Sequence, residues 1–387
     1  MNIRPSLRAV RAAIAAGVGI ATLALSSGNA RAEDKLLAET VDFTGTILFL
    51  SANVPALVIG VIRDGETVVR GYGEIAKGSG KEPDGDTLMR IGSITKVMTG
   101  ATLASLVADG TVDFGDPLQD RLGWDVKIPE RDGKKIRLID LATHSSGLPR
   151  EAEVEPTGEG QPTPMGDKES YIATLKTDPQ LFAPGTGILY SNFGFDLLAQ
   201  ALANAAGKPY AELLKERVLD PAGLKDTRFD LTEADWAHAM QGHNFDGAPL
   251  PFMETAPIIQ GAGGLYSTAN DMLRWLRWHL GADAKDFEMR LLDHATYLQR
   301  DGLDPVVGMD EGSEMDAMGL GWVIQNPEGA RPLIMQKTGG LQGQFSYIAF
   351  APSRGIGVFV SINQFSVSGF DAMVKAANGL IAELAPR

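Results

Sequence analysis

Cysteine is missing from all 387 residues, and that one absence removes disulfides, thiolate nucleophiles, Cys-ligated zinc, iron–sulfur clusters and covalent haem attachment. Any covalent catalysis must use another atom. Histidine is scarce: His144, His238, His243, His279 and His294 are the whole set. None falls in an H-E-x-x-H or comparable ligand spacing, so a histidine metal centre is not expected. Positive charge is short as well, 35 Lys+Arg against 49 Asp+Glu for a net −14. Phosphate neutralisation needs clustered cations, so nucleic acid and anionic membrane are not expected partners, and an anionic small substrate would need its own local cation. The acidic run Asp310, Glu311, Glu314 and Asp316 lacks EF-hand spacing and reads as a solvated loop. With 44% hydrophobic and 22% charged residues the chain is of globular type, which excludes wholesale disorder and a collagen-like fibre.

Acid is absent from residues 1–32. There Arg4, Arg8 and Arg11 precede an apolar stretch from Ala12 to Leu25, and small and polar residues lead to Ala30-Arg31-Ala32. This is the layout of a secretory signal peptide with an A-x-A cleavage site, and its apolar stretch is shorter than the roughly 20 residues of a spanning helix. Residues 33–387 then form the working domain. They contain no internal repeat, heptad run or second apolar segment of membrane length. An exported chain without disulfides must be held by its core, which this length permits.

Strand signals cluster at the two ends. Ala56 to Ile62 and Thr67 to Tyr72 flank an Arg63-Asp64-Gly65-Glu66 turn, and Phe345 to Ala351 and Ile356 to Ile362 flank Pro352-Ser353-Arg354-Gly355, so each end reads as a hairpin. A helix is expected from about Asp371 to Leu384. The middle has helical periodicity: Ile94, Val97, Met98, Ala101, Ala104 and Val107 are spaced for one face, and Asn192 to Ala206 and Tyr210 to Val218 read as helices. The Pro- and Gly-rich stretch from Arg150 to Asp167 reads as a surface loop. The expectation is an α+β fold. An antiparallel sheet is made from both ends (about 33–92 and 258–387) and flanked by helices, with a mainly helical region inserted (about 93–257), and the groove between them is the natural ligand site.

Three short motifs carry chemistry. In Ser93-Ile94-Thr95-Lys96, residues three apart share a helix face, so the serine hydroxyl and lysine amine can meet, and the helix start offers free N–H groups to a developing alkoxide. Alone, such a serine is an ordinary N-cap. In Tyr190-Ser191-Asn192, an extended backbone would send the phenol and the amide into the same groove, where a neighbouring ammonium favours a phenolate base. Lys337-Thr338-Gly339-Gly340, at the end of a strand or in a hairpin turn, can offer a cation and a hydroxyl to a carboxylate while glycine admits a substrate backbone.

Together, in this order and at these separations, the motifs resemble the serine β-lactamase and penicillin-binding protein superfamily, on the class C side where the second motif is Tyr-x-Asn. The similarity extends through Arg90 to Lys96, Leu141 to Glu151, Tyr190 to Asn192 with the Phe195-to-Tyr210 stretch, and Gln336 to Gly340. The flanking stretches are most similar to D-alanyl-D-alanine carboxypeptidase/endopeptidase members. The resemblance implies a β-lactamase/transpeptidase-like fold and Ser93 as the acylated nucleophile. It further implies Lys96 as the proton partner of Ser93, Tyr190 as general base, and Asn192 on the substrate amide. Lys337, Thr338 and Gly339 would bind the terminal carboxylate end, and the backbone N–H groups of Ser93 and Gly340 would form the oxyanion hole. No metal or cofactor is implied. His144 would lie in a supporting loop. The expected substrates and ligands are peptidoglycan peptides and β-lactams, and the expected location is the periplasm, at most loosely associated with the inner membrane. A class C-like β-lactamase, a carboxylesterase on the same fold and a non-catalytic penicillin-binding protein are the alternatives. The sequence carries no signal for an oligomeric state.

Overall fold

The computed structural model describes residues 34–154, 166–281 and 285–387. The expected signal peptide and most of the 150–167 loop lie outside the described residues. Among the described residues, no helix is long and apolar enough to cross a membrane.

The first described element is α1 (Lys35–Ala52), which the sequence reading did not anticipate. A hairpin follows, β1 (Ala56–Arg63) and β2 (Glu66–Gly73). Its turn residues Asp64 and Gly65 have φ of 50° and 84°, the left-handed pair that matches strand twist. The chain then runs through the helical region, with α2 (Thr95–Ala108) and α3 (Asn192–Ala206) as its long helices. It returns by α4 (Ala269–Leu280) and α5 (Phe287–His294). Short strands β3 (Leu298–Gln299), β4 (Ala317–Met318) and β5 (Val323–Gln325) lead into β6 (Ile334–Leu341), β7 (Gln344–Ala351) and β8 (Ile356–Ile362), and α6 (Val367–Leu384) closes the fold. The eight strands make one antiparallel sheet in the order β2-β1-β8-β7-β6-β5-β4-β3. The two ends of the chain meet where β1 pairs with β8, from Leu57 opposite Ile362 to Arg63 opposite Ile356.

Alternation sorts this sheet between two cores. In β1, Ala56, Val58 and Ile62 join the core shared with α2, α3 and α4. Leu57, Ile59 and Val61 join Leu37, Val41 and Leu48 of α1 and Met373, Ala377 and Ile381 of α6. Both faces are covered, which is why β1 reads as an unbroken apolar run.

Lys337-Thr338-Gly339-Gly340 takes the strand-end form and not the hairpin turn: it occupies the last part of β6, paired with Ile348 to Phe345, and the turn falls after it at Gln342-Gly343. Ser93 is not an N-cap. It sits in a single 3₁₀ turn, Gly92–Ile94, and α2 begins after it without a side-chain cap.

Candidate active site

Ser93 is carried to the sheet edge by geometry that begins in β6. Strand β5 pairs with β6 only as far as Val323 opposite Gln336, so the β6 edge is open from Lys337 onward, and the Gly92–Ile94 turn packs there. The approach is tight enough to require glycine. A Cβ on Gly92, whose φ is +52°, would lie 2.6 Å from the Gly340 backbone nitrogen, and one on Gly339 would lie 2.0 Å from the Ile91 carbonyl oxygen. The backbones of Ser93 and Gly340, the pair expected to form an oxyanion hole, border the same cavity.

Lys96 follows one helical turn later with none of its surface exposed. Its Nζ lies 3.2 Å from Ser93 Oγ and 2.6 Å from each of Asn192 Oδ1 and the Ala262 carbonyl oxygen. Burial above all, and then the neighbouring Lys337, hold this amine well below the usual lysine range. Nζ donates to the two carbonyl-type acceptors and to the Ser93 hydroxyl oxygen, and the same amine, once neutral, would present one lone pair.

Tyr190 and Asn192 arrive at the start of α3. Ser191 caps that helix, its Oγ accepting from the Gly194 N–H at 2.8 Å and donating to the Pro149 carbonyl at 2.6 Å. The two flanking side chains are thereby fixed toward Lys96, as the extended-backbone reading expected. The Tyr190 phenol is hydrogen-bonded to Ser93, and burial raises it far above an ordinary phenol despite that bond. Burial opposes the phenolate that its cationic neighbours would favour. Those neighbours are real: Lys96 Nζ, Lys337 Nζ and Arg150 Cζ lie 4.9, 5.0 and 4.7 Å from the ring centroid.

His144 stacks on the other side of Tyr190 with ring centroids 4.6 Å apart. Its Nδ1 accepts from the Ser191 N–H at 3.0 Å, which fixes the Nε2–H tautomer. Burial, with Lys96 and Lys337 nearby, keeps the imidazole neutral. It packs against Tyr190, and its Nε2 is buried with no hydrogen-bond partner.

Lys337 is brought to the site but faces inward. It is 2% exposed and donates to the Thr338 carbonyl at 3.0 Å, while burial, opposed by Glu311, lowers it to about 8. The groove itself is lined by Ser93, Arg150, Tyr190, Glu311 and Thr338 around a cavity of 310 Å³. A second cavity of 410 Å³ reaches Ser93 from the side of Glu151, Asn192 and Ala262.

Sequence reading missed four polar residues here. Glu311, assigned to a solvated loop, accepts from Thr338 Oγ1 at 3.1 Å, whereas its neighbour Asp310 pairs with Arg300 at 2.7 Å. Glu151 accepts from the Asn192 amide. Arg150 and Glu151 belong to the stretch that carried the resemblance, yet nothing in their spacing marks them. Asp196 sits one helical turn beyond Asn192, a signal that was available. It is fully buried, accepts from the Tyr171 hydroxyl at 2.7 Å and the Ala262 N–H at 2.8 Å, and is pushed by burial up to about 7. It holds the residue whose carbonyl faces Lys96.

Comparison with known proteins agrees with this geometry. A family model described as Beta-lactamase matches residues 29–383. The D-alanyl-D-alanine-carboxypeptidase/endopeptidase AmpH of Escherichia coli strain K12 is 36% identical over 359 residues, covering 91% of this chain and 90% of its own. A beta-lactamase of Pseudomonas fluorescens is 27% identical over 371 residues, covering 89% and 98%. Among solved structures, the beta-lactamase/D-alanine carboxypeptidase of Yersinia pestis complexed with citrate has a TM-score of 0.81 at 35% identity, covering 90% of this chain and 99% of that one. A class C beta-lactamase has a TM-score of 0.76 at 20% identity over 92% and 99%, a likeness of fold.

Proposed function

The chain belongs to the beta-lactamase family, and from that premise we propose that it is a serine hydrolase cleaving D-Ala-D-Ala-type peptide bonds of peptidoglycan, as carboxypeptidase and endopeptidase, through an acyl-enzyme on Ser93. The observation that carries the reading is the Lys96 amine, bonded to Asn192 Oδ1 and the Ala262 carbonyl and 3.2 Å from Ser93 Oγ. A surface lysine beside a capping serine would have neither the burial nor these partners. The substrate class rests on the 36% identity to AmpH over 91% of the chain. The arginine-bearing, acid-free residues 1–32 support export to the periplasm.

In acylation, Ser93 Oγ attacks the scissile carbonyl as its proton passes to the neutral Lys96 amine. The backbone N–H groups of Ser93 and Gly340 receive the oxyanion. Collapse breaks the C–N bond, the Tyr190 hydroxyl gives its proton to the departing amine, and the Lys96 ammonium reprotonates Tyr190. Water repeats the sequence on the ester, releasing the acid and restoring Ser93. His144 supports Tyr190, and Asp196 holds Ala262 against Lys96.

The test is covalent labelling. A fluorescent penicillin should attach to Ser93 by peptide mapping, Ser93→Ala should not label, and purified muropeptides ending in D-Ala-D-Ala should each lose one terminal alanine, read by mass spectrometry. An adduct elsewhere would sink the nucleophile assignment. Rapid release of the penicillin adduct without muropeptide cleavage would instead favour the β-lactamase reading that the 27% identity to the Pseudomonas enzyme keeps open.

A further inference from the structure

Away from Ser93, the ends of α4 and α5 converge on a buried group that the serine chemistry does not use. His279 is the penultimate residue of α4, and Asp293 and His294 are the last two of α5. One ligand-type atom from each lies within 4.8 Å of the others. His279 Nδ1 is 2.8 Å from His294 Nε2 and 3.6 Å from Asp293 Oδ2. The Trp322 indole N–H donates to the same Oδ2 at 3.0 Å. The walls are aromatic: Trp275, Phe350 and Trp322 lie 4.2, 4.9 and 5.2 Å from the His279 ring by centroid.

Hydrogen bonding alone does not satisfy this group. Neutral imidazole has one donor and one acceptor nitrogen. If His279 Nδ1 donates to His294, its Nε2 is a buried acceptor with no donor. If Nδ1 accepts, Nε2–H is a buried donor with no acceptor. Asp293 Oδ1 and His279 Nε2 both lack a hydrogen-bond partner, as does Trp275 Nε1 beside them, so three of the seven such buried side-chain atoms among the described residues fall in this one corner. Of these atoms Asp293 Oδ1 is a carboxylate acceptor that an ion could engage while Oδ2 holds the Trp322 N–H; an ion at His279 Nδ1 leaves His279 Nε2 and Trp275 Nε1 as they are.

We propose that His279, Asp293 and His294 bind a divalent transition-metal ion of the Zn²⁺ class, separate from the serine site and independent of the function proposed above. Two imidazoles and a carboxylate are a standard donor set for such an ion, and tetrahedral ligands at 2.0–2.2 Å stand about 3.3–3.6 Å apart. The observed 3.6 Å fits, and the 2.8 Å pair needs to open by about half an ångström. Both helices present their C-terminal, partly negative ends. The Trp322 N–H acts as the supporting bond that orients a ligating carboxylate. His294, only partly buried, gives the ion its entry and leaves the fourth position for water. Arg290 is the neighbouring cation that would oppose the ion, and its guanidinium is held by the Lys285 carbonyl at 2.8 Å and the Trp278 ring at 5.4 Å. In a chain without cysteine, such an ion would tie α4 to α5 as a disulfide cannot.

The full-length chain without an affinity tag, stripped with a chelator and dialysed, tests this directly. Titration with Co²⁺ should develop the visible ligand-field bands of a tetrahedral site and saturate at one ion per chain. Zn²⁺ at hundredfold excess over its Kd should raise Tm by about 3 °C or more. His294→Gln, at the partly exposed position, and Asp293→Asn should each weaken binding by about 10-fold or more while far-UV circular dichroism stays that of the wild type. Absence of saturable one-to-one binding would overturn the site, and so would binding undiminished in both variants.

Discussion

Lys96 and Lys337 are both sealed from solvent, yet their neighbours set them different tasks. Lys96 faces Ser93 and two acceptors, whereas Lys337 faces the Tyr190 ring and its own chain. The expectation that Lys337 grips a substrate carboxylate therefore needs a refinement that can be measured. Arg150, with 53% of its side chain exposed, is the cation on the groove, and Lys337 is the one behind Tyr190. Lys337→Met should lower acylation by a peptide ending in free D-Ala and by a small neutral ester alike, by about 10-fold or more. Arg150→Gln should impair only the peptide, by about 2- to 5-fold, since an exposed charge contact is worth little. A peptide-selective loss in Lys337→Met would restore the carboxylate-anchor role. Burial also gives a pH signature. The ammonium exists below the lowered pKa of about 8 and is lost as pH rises through it, so kcat/KM of the wild type should fall above that pH. The same limb should be absent from the profile of Lys337→Met.

At the level of elements, the proposed acylation of Ser93 depends on how closely its 3₁₀ turn can lie on the open edge of β6. A Cβ on Gly339 would stand 2.0 Å from the Ile91 carbonyl, and that contact is backbone, which cannot rotate away. Gly339→Ala should cost about 1–3 kcal/mol of stability as an overpacked contact, read from the urea midpoint, and should reduce penicillin labelling of Ser93 by more than tenfold in the fraction that remains folded. Unchanged labelling would mean that the turn and strand move independently. The same pair of elements marks what was legible in the sequence. Ser93 with Lys96, and Tyr190 with Asn192, could each be paired because helix and strand periods are local rules, but that the two pairs share one site came from the family resemblance. For Lys337-Thr338-Gly339-Gly340 the sequence left strand end and hairpin turn both open, because its two glycines imitate a turn and only the partner residues Phe345 to Ile348 reveal the pairing. Helix α1 was hidden for a different reason. Phe43, Ile47 and Leu50 are exposed, so apolar residues on its outer side blur the stripe of Leu37, Val41 and Leu48. Gly45 in its middle makes room for Tyr72, whose hydroxyl oxygen would stand 2.5 Å from a Cβ there. Glu311 and Glu151 needed tertiary structure altogether, since a loop carboxylate bonded across the site leaves no trace in spacing.

On the scale of the whole molecule, the sheet built from the chain ends and the helical insertion have different sequence character, yet they share one core, the sheet's second core lying on its other face against α1 and α6. One cluster of buried residues runs from Val58 in β1 and Phe359 in β8 through Trp275 in α4 to Phe193 and Leu198 in α3. Helix α2 lies across the junction with eleven of its fourteen residues buried, and a Cβ on its Gly100 would meet the Leu320 carbonyl at 2.2 Å. The proposed active site is assembled at this junction, Ser93 and Lys96 from the helical side and Gly340 from the sheet. Chains of this size often unfold in stages, but stages require regions that can keep their packing when the neighbour leaves. A shared core does not permit that. Urea unfolding should therefore give coincident transitions by far-UV circular dichroism, by tryptophan fluorescence and by loss of penicillin labelling. Leu198→Ala, in the helical part, should destabilise by about 2–5 kcal/mol and shift all three midpoints together, although the sheet contains none of the altered atoms. If labelling and helical signal were lost first while Trp275 and Trp322, which belong to the core against the sheet, stayed buried, the two regions would be independent folding units that merely touch at the site.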